Sequence, residues 1–205
     1  MPNYLEYLYK EIHSVVLATT DENNNPITCV IDMMLADKEG LYFLTAKGKA
    51  LYERLSKNEN ISLTGFKGDD TMSSKSINIR AKAMEVGSDL LSEIFCKNTY
   101  MNDIYPNIES RKSLTVFKIY EGDGEFFDLS VRPIFRESFS FGKQQKKTTG
   151  YFITESCIAC SKCVMICPQN CIKLENKKAS IGQNNCLHCG SCMNVCYSNA
   201  IKRVL

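Results

Sequence analysis

The chain reads as mainly β: a β-barrel with peripheral helices over the first two-thirds, then a small α+β module. Three observations predict this. Short strands of alternating polarity follow one another from Ser14 onward, with a helical segment set between the third and the fourth. A polar, glycine-bounded stretch, Gly142 to Gly150, interrupts the apolar patterning and reads as a linker. Beyond it, eight of the eleven cysteines fall in two copies of one spacing pattern.

The elements follow in order. Leu5, Leu8 and Ile12 recur at helical spacing, so Tyr4 to Ile12 reads as a short amphipathic helix. Ser14 to Thr20 is rich in β-formers and ends in the turn Asp21 to Pro26. Ile27 to Leu35 is a second strand, Ala36 to Gly40 a turn, and Leu41 to Thr45 a third strand. After Lys47-Gly48-Lys49, the pair Leu51 and Leu55 marks a helix over Ala50 to Lys57. Ile61 to Phe66 is another strand. Lys75 to Val86 alternates Ile77, Ile79, Ala81 and Ala83 with Asn78, Arg80 and Lys82. Ser88-Asp89 is expected to cap a helix through Phe95. A last hairpin is expected from Leu114 to Tyr120, turning at Glu121 to Gly124 and returning through Leu129. In the C-terminal module, Tyr151 to Thr154 is a strand, and Ile172 to Glu175 and Lys178 to Ile181 form a hairpin around Asn176-Lys177.

The cysteine copies are Cys157-x2-Cys160-x2-Cys163-x3-Cys167-Pro168 and Cys186-x2-Cys189-x2-Cys192-x3-Cys196. This spacing resembles that of bacterial two-cluster ferredoxins, which hold two [4Fe–4S] cubanes. Three thiolates on one tight loop reach three irons of one cubane, and the fourth points away to the other. The assignment is Cys157, Cys160, Cys163 and Cys196 to one cluster, and Cys186, Cys189, Cys192 and Cys167 to the second. Disulfides do not suit the reading, because Met1 to Lys10 does not look like a signal peptide. Zinc sites usually come as two CxxC pairs or as Cys with His. Tyr197 stands where the second copy would carry proline, which leaves ligation intact. Cys171 reads as a small buried thiol, and His188 as a solvent-facing loop residue that at most tunes potential.

Composition narrows the class. At 205 residues the chain has room for two domains, expected at 1–142 and 151–205 with the linker at 143–150. A formal net charge of +2, with scattered lysines, gives no nucleic-acid signal. No apolar run approaches the ~18 residues of a membrane span. The expectation is a cytoplasmic protein with neither nucleic-acid nor membrane partners.

The N-terminal order is Ser14 to Thr20, Pro26 to Ile31, Gly40 to Thr45, the basic loop Lys47-Gly48-Lys49, and Leu51 to Asn60 leading into Ile61 to Leu63. It resembles the FMN-binding split barrel of the pyridoxamine 5′-phosphate oxidase-like superfamily, which includes nitroimidazole-reductase-like proteins. The resemblance implies a homodimer with FMN at its interface. It implies Thr45, Lys47 and Lys49 at the FMN phosphate, where backbone N–H groups and two ammonium charges converge at a strand-to-helix junction. It implies the main chain of Cys29, Val30, Ile31 and Asp32 along the isoalloxazine, and Arg80 as a second phosphate or ring candidate. Each has a plainer reading: solvated lysines, a strand's polar face for Arg80, and small core hydrophobes for Cys29 and Cys96. His13 reads as structural, and Tyr42 and Phe43 as barrel packing. Vitamin B6 oxidases carry a tryptophan-containing C-terminal segment, whereas this chain has no Trp, so that activity is not expected. Gly48-Lys49 also stands where those oxidases tend to carry Arg-Lys.

Flavin and cubanes in one chain imply a flavin/iron–sulfur oxidoreductase of the flavin-reductase or nitroreductase type, acting on a small acceptor or a pyridine nucleotide. The alternative is a carrier that docks on a redox partner protein and has no substrate of its own.

Overall fold

A computed structural model of the chain describes residues 3–145 and 149–204. Lys146, Lys147 and Thr148 of the expected linker lie outside the described residues. Helix α1 (Tyr4–Tyr7) is capped by Asn3, whose side chain accepts from the Glu6 N–H at 3.2 Å. The expected helix does run to Ile12, but its second half, Leu8–Ile12, is π-helical. It lies close on the sheet because Gly65 has no side chain: a Cβ there would stand 2.5 Å from Leu8 Cδ2.

Strands β1 (Ser14–Thr20) and β2 (Pro26–Asp32) form a hairpin in register from Ser14↔Asp32 to Thr20↔Pro26. Its turn is held by the Asp21 carboxylate, which accepts from the N–H of Asn23 at 2.8 Å and of Asn25 at 2.9 Å. β2 stops at Asp32, short of the expected Leu35. Met33 donates to His13 O at 2.8 Å and Met34 to Tyr42 O at 2.7 Å, so the chain leaves β1 before β3 (Leu35–Ala36) pairs with β4 (Leu41–Ala46). Helix α2 (Ala50–Lys57) follows, burying Leu51 and Leu55 as their spacing requires. Next come β5 (Asn60–Lys67) and β6 (Lys75–Gly87).

Helices α3 (Leu91–Lys97), α4 (Met101–Ile104) and α5 (Ile108–Arg111) come next. The N-cap of α3 is Leu90 without a side-chain bond, so Ser88-Asp89 is a preceding turn rather than the cap. β7 (Leu114–Asp128) is one continuous strand of fifteen residues, which replaces the expected hairpin. Gly122 and Gly124 are needed there for close packing: a Cβ on Gly122 would lie 2.6 Å from Arg80 O, and one on Gly124 2.5 Å from the Phe139 ring. β8 (Phe135–Phe141) then pairs with the second half of β7.

The antiparallel sheet runs β2-β1-β5-β6-β7-β4-β3, with β8 also on β7. It curls around Leu17, Phe43, Leu63, Ile77, Ile79, Phe117 and Ile119, all buried. A second apolar cluster packs Ile94, Phe95 and Met101 against Leu114 and Val116.

In the module, β9 (Gly150–Ile153) leads to α6 (Lys162–Ile166), the hairpin β10 (Ile172–Glu175) and β11 (Lys178–Ile181), α7 (Ser191–Asn194) and β12 (Ile201–Val204). The hairpin turn uses left-handed Asn176 and Lys177, with φ of 50° and 59°. β12 pairs with β9, tying the two repeats together. The module touches the barrel where Asn185 Nδ2 donates to Ile134 O at 2.7 Å, just before β8. Among the described residues, no helix is long and apolar enough to cross a membrane.

Candidate cofactor sites

The eight patterned cysteines sort into two cages. Cys157, Cys160 and Cys163, from the loop and first turn of α6, line one cavity with Cys196 from beyond α7. Cys186, Cys189 and Cys192 line another with Cys167 from the end of α6. The fourth cysteine of each copy thus crosses to the other copy's cage. Backbone conformation repeats with the sequence. Ala159 and His188 are left-handed at φ 57° and 56°, Ser161 and Gly190 at 62° and 79°, and Asn170 and Asn199 at 51° and 49°. Left-handed backbone costs a non-glycine residue roughly 1–2 kcal/mol, so these loops hold conformations that a bound group would offset. Among the described residues, no three ligand-type side chains converge on one ion position. A cubane asks for something else: four sulfurs around a cavity, each facing its own iron.

The sulfurs also have donors. His188 N–H points to Cys186 Sγ at 3.4 Å, and Ala200 N–H to Cys196 Sγ at 3.3 Å. Hydrogen bonding with the Ser191 side chain, 3.4 Å away, and with its backbone holds the Cys189 thiol below its usual range. Burial pushes Cys163 up, and Cys192 to about 11. Such thiols need a metal's charge to become thiolates. Cys171 lies in the wall of the second cage, its Sγ 3.4 Å from that of Cys167, and burial pushes its thiol far upward. His188 is not the solvent-facing residue expected. Its left-handed backbone turns the ring edge-on to Tyr151, 6.0 Å between centroids, where burial and the nearby Arg136 charge lower its pKa.

In the barrel, β2 is an end strand of the sheet order, so the main chain of Cys29, Val30, Ile31 and Asp32 has β1 on one side only. The Asp32 carboxylate accepts from Ser14 Oγ at 2.6 Å and Tyr100 OH at 2.8 Å, and His13 Nε2 lies 3.0 Å from the same Tyr100 oxygen. The Asp32 side chain is therefore committed to a structural network, and His13 with it. Thr45, 3% exposed at the end of β4, has a buried hydroxyl with no hydrogen-bond partner. Two residues on, Lys47 Nζ is 4.0 Å from Glu85, whose carboxylate also accepts from Thr115 Oγ1 at 2.6 Å. Lys49 is the N-cap of α2, and no side chain caps that helix start.

Burial raises the Cys29 thiol pKa, while the positive charges of Arg54 and Lys49 pull it down. Cys29, Lys49 and Arg54 therefore share one neighbourhood, joining β2 to the start of α2. Arg54 was not among the expected residues. Its Nε donates to Thr19 Oγ1 at 2.8 Å, which holds the guanidinium beside β1. Its position in the helix, 100° round from buried Leu55, was the available signal: the margin of the buried stripe, where a long side chain reaches a neighbouring strand. An orphaned hydroxyl, an uncapped helix start, neighbouring cations and an open strand edge together fit a flat anionic cofactor such as FMN.

Arg80 is not brought to this group within one chain. It lies on the outer face of β6, its guanidinium 2.9 Å from Asp123. There it lines a cavity of about 300 Å³ with Ser62, Asn78, Ser138 and Phe139. Glu85, beside Lys47, is five residues further along β6, or roughly 17 Å of strand.

Comparison with known proteins agrees with both halves. The sequence model of the 4Fe-4S dicluster domain matches residues 156–200, and that of pyridoxamine 5′-phosphate oxidase matches residues 1–122. No curated protein matches the chain. Among solved structures, a NimC/NimA family protein from Clostridium acetobutylicum superposes with a TM-score of 0.54 at 14% identity, covering 67% of this chain and 91% of that one. PhzG from Burkholderia lata 383, in complex with tetrahydrophenazine-1-carboxylic acid, gives 0.52 at 15% identity over 69% and 82%. Campylobacter jejuni ChuZ gives 0.53 at 13% identity over 70% and 60%. At such identities the likeness is one of fold: the split barrel. With its first 122 residues matched by that model, the chain belongs to the pyridoxamine 5′-phosphate oxidase family, and it carries a 4Fe–4S dicluster ferredoxin module behind the barrel.

Proposed function

We propose that the protein is a flavin/iron–sulfur oxidoreductase that passes electrons between two [4Fe–4S] clusters, FMN and a small acceptor or a pyridine nucleotide. The observation that carries this is the pairing, in one chain, of two crossed four-cysteine cages with a barrel site suited to a flavin phosphate. Cys157, Cys160, Cys163 and Cys196 hold one cluster, and Cys186, Cys189, Cys192 and Cys167 the other. Lys49 and Arg54 meet the phosphate with the start of α2, and Thr45 offers its free hydroxyl. Lys47 assists from beside Glu85. The main chain of Cys29 to Asp32 faces the ring. When bound, FMN exchanges electrons in pairs or singly and cubanes exchange them singly, which makes the pair a converter.

The protein acts as a homodimer in this reading. Val16 and Val30, directly opposite each other on the outer face of β1 and β2, are both exposed and would be covered by a second copy. The test is an anaerobic preparation with its flavin extracted and identified, and with iron and acid-labile sulfide counted. Rapid mixing then compares reduction by NADH, NADPH or a one-electron donor. About eight irons per chain and an FMN that both nucleotide and cluster reduce would support the proposal. Zinc, or no flavin, would overturn it. Intact cofactors without turnover of any small molecule would make the protein a carrier instead.

A further inference from the structure

The two repeats part ways at a position that faces a cluster ligand. Cys171 and Ala200 each lie four residues past the last cysteine of their copy, and each is followed by isoleucine. Their backbones are held alike. Cys171 O accepts from the Gly182 N–H at 2.7 Å, just past β11, and Ala200 O from the Thr154 N–H at 2.8 Å, just past β9. The frame is shared and the side chains differ. Ala200, 1% exposed, presents a methyl group. Cys171 presents a thiol, which lines the second cage with its Sγ 3.4 Å from that of Cys167. Packing alone does not ask for sulfur here, since alanine fills the matching position of the other repeat.

Ligation to iron decides which sulfur is the donor. It takes the proton from Cys167, so the hydrogen between the two sulfurs comes from Cys171. A thiol is a weak donor, but its acceptor is then an ionised thiolate, and hydrogen bonds to ionised acceptors are the stronger kind. A reduced cluster carries one more negative charge than an oxidised one, and hydrogen bonds to its sulfurs favour the reduced form. Side-chain hydroxyls stand by both cages: Ser198 Oγ lies 3.7 Å from Cys196 Sγ in the first, and Ser191 Oγ 3.4 Å from Cys189 Sγ in the second. Cys171 adds a further group to the second cage only. That cage is also the one beside the barrel, where Asn185, next to the ligand Cys186, donates to Ile134 O at 2.7 Å.

We infer that Cys171 is a positioning residue for electron transfer: it donates its thiol hydrogen to the iron-bound Cys167 sulfur and raises the reduction potential of the barrel-side cluster. An electron that enters the module is thereby drawn towards the cluster next to the barrel. This rests on the reading that the cysteine cages hold [4Fe–4S] clusters.

The experiment uses the full chain, prepared anaerobically, with its iron and acid-labile sulfide counted first. Cys171→Ala, which copies the other repeat, is compared with Cys171→Ser, which keeps a donor, and with Cys96→Ala, which removes an exposed thiol on α3. A mediated redox titration followed by low-temperature electron paramagnetic resonance reads the reduced-to-oxidised ratio of the clusters. About eight irons per chain are expected in all three variants. In Cys171→Ala one of the two one-electron steps should fall, its ratio at a fixed potential dropping roughly three- to tenfold, a shift of at most ~59 mV. The other step should stay. Cys171→Ser should recover part of the drop, and Cys96→Ala should match the parent chain. Full iron with both steps unmoved in Cys171→Ala overturns the inference and leaves the cluster reading intact. So does the loss of about four irons from Cys171→Ala, which would make Cys171 a ligand in place of Cys167. An equal drop in Cys171→Ser would trace the effect to lost bulk and refute the hydrogen bond. Parent protein without iron and sulfide would remove the cluster reading, and this inference with it.

Discussion

Replacing Gly122 by alanine should destabilise the barrel, although the sequence around it looks like an exposed turn. Gly122 sits mid-strand in β7, paired with Ala81 of β6. Its φ is not positive, so alanine meets no backbone strain of its own. The cost is steric: the new Cβ would lie 2.6 Å from Arg80 O and 2.7 Å from Ala81 Cβ. Both are held by the sheet and cannot swing aside. Overpacking of this kind costs typically ~1–3 kcal/mol. For a chain of this size each kcal/mol lowers the melting temperature by roughly 2–4 °C, so a drop of about 2–12 °C is expected. Gly48→Ala is the internal control, because a Cβ there has nothing within 4 Å. That change should be neutral or stabilise by up to about 1 kcal/mol. Thermal unfolding followed by near-ultraviolet circular dichroism, which reports the barrel's aromatic residues, compares the two. Equal melting of both variants would show that Gly122 occupies an open turn and that β7 is not one strand.

Other outcomes follow from the same geometry. Lys49→Ala should weaken FMN binding roughly ten- to a hundred-fold, the loss of one charge-assisted bond of about 1.5–3 kcal/mol, read by flavin fluorescence titration; unchanged affinity would return Lys49 to the solvated surface. Arg54→Ala should weaken it as well, whereas Arg80→Ala should not, because Arg80 stands apart by Asp123, and an effect of Arg80 alone would place the flavin over the outer face of β6. Cys160→Ser and Cys189→Ser should each cost about four of the eight irons, since each removes a ligand from a different cage; loss of all iron from one variant only would mean that the cages do not form independently. Phe117→Ala should cost about 3–5 kcal/mol in urea unfolding, because the ring is fully buried and stacks on Phe43 at 5.6 Å.

Much of this architecture is legible locally. β5 alternates exposed and buried along its length, as its sequence does, and the β10–β11 turn is set by two residues able to take positive φ. The cages are legible because the ligand spacing within each copy is short, and the crossing follows from the repeat. What escaped has non-local causes. Glu121-Gly-Asp-Gly124 carries every local sign of a turn, yet its glycines answer to β6 and Phe139, which lie far away in sequence. β8 was missed because Phe135 to Phe141 is half-buried on both faces and shows no clean alternation. α4 and α5, four residues each, are too short for a period to register. Arg80 enters through the family resemblance, whereas in the chain it stands by Asp123, five residues along β6 from the Glu85 that neighbours Lys47.

The order of strands also works as a ruler. β2, whose free edge faces the proposed flavin, and β8, beside the module's anchor, stand five strand spacings apart through β1, β5, β6 and β7. At ~4.8 Å each that is about 24 Å measured along the sheet. The gap between the two redox halves is thus fixed by rigid hydrogen-bonded backbone, and lengthening the tether at 143–150 would leave it unchanged while Asn185 stays bonded to Ile134. Evolution could retune such a distance only by adding or losing a strand, by curling the sheet more tightly, or by bringing another molecule's pocket to the anchor.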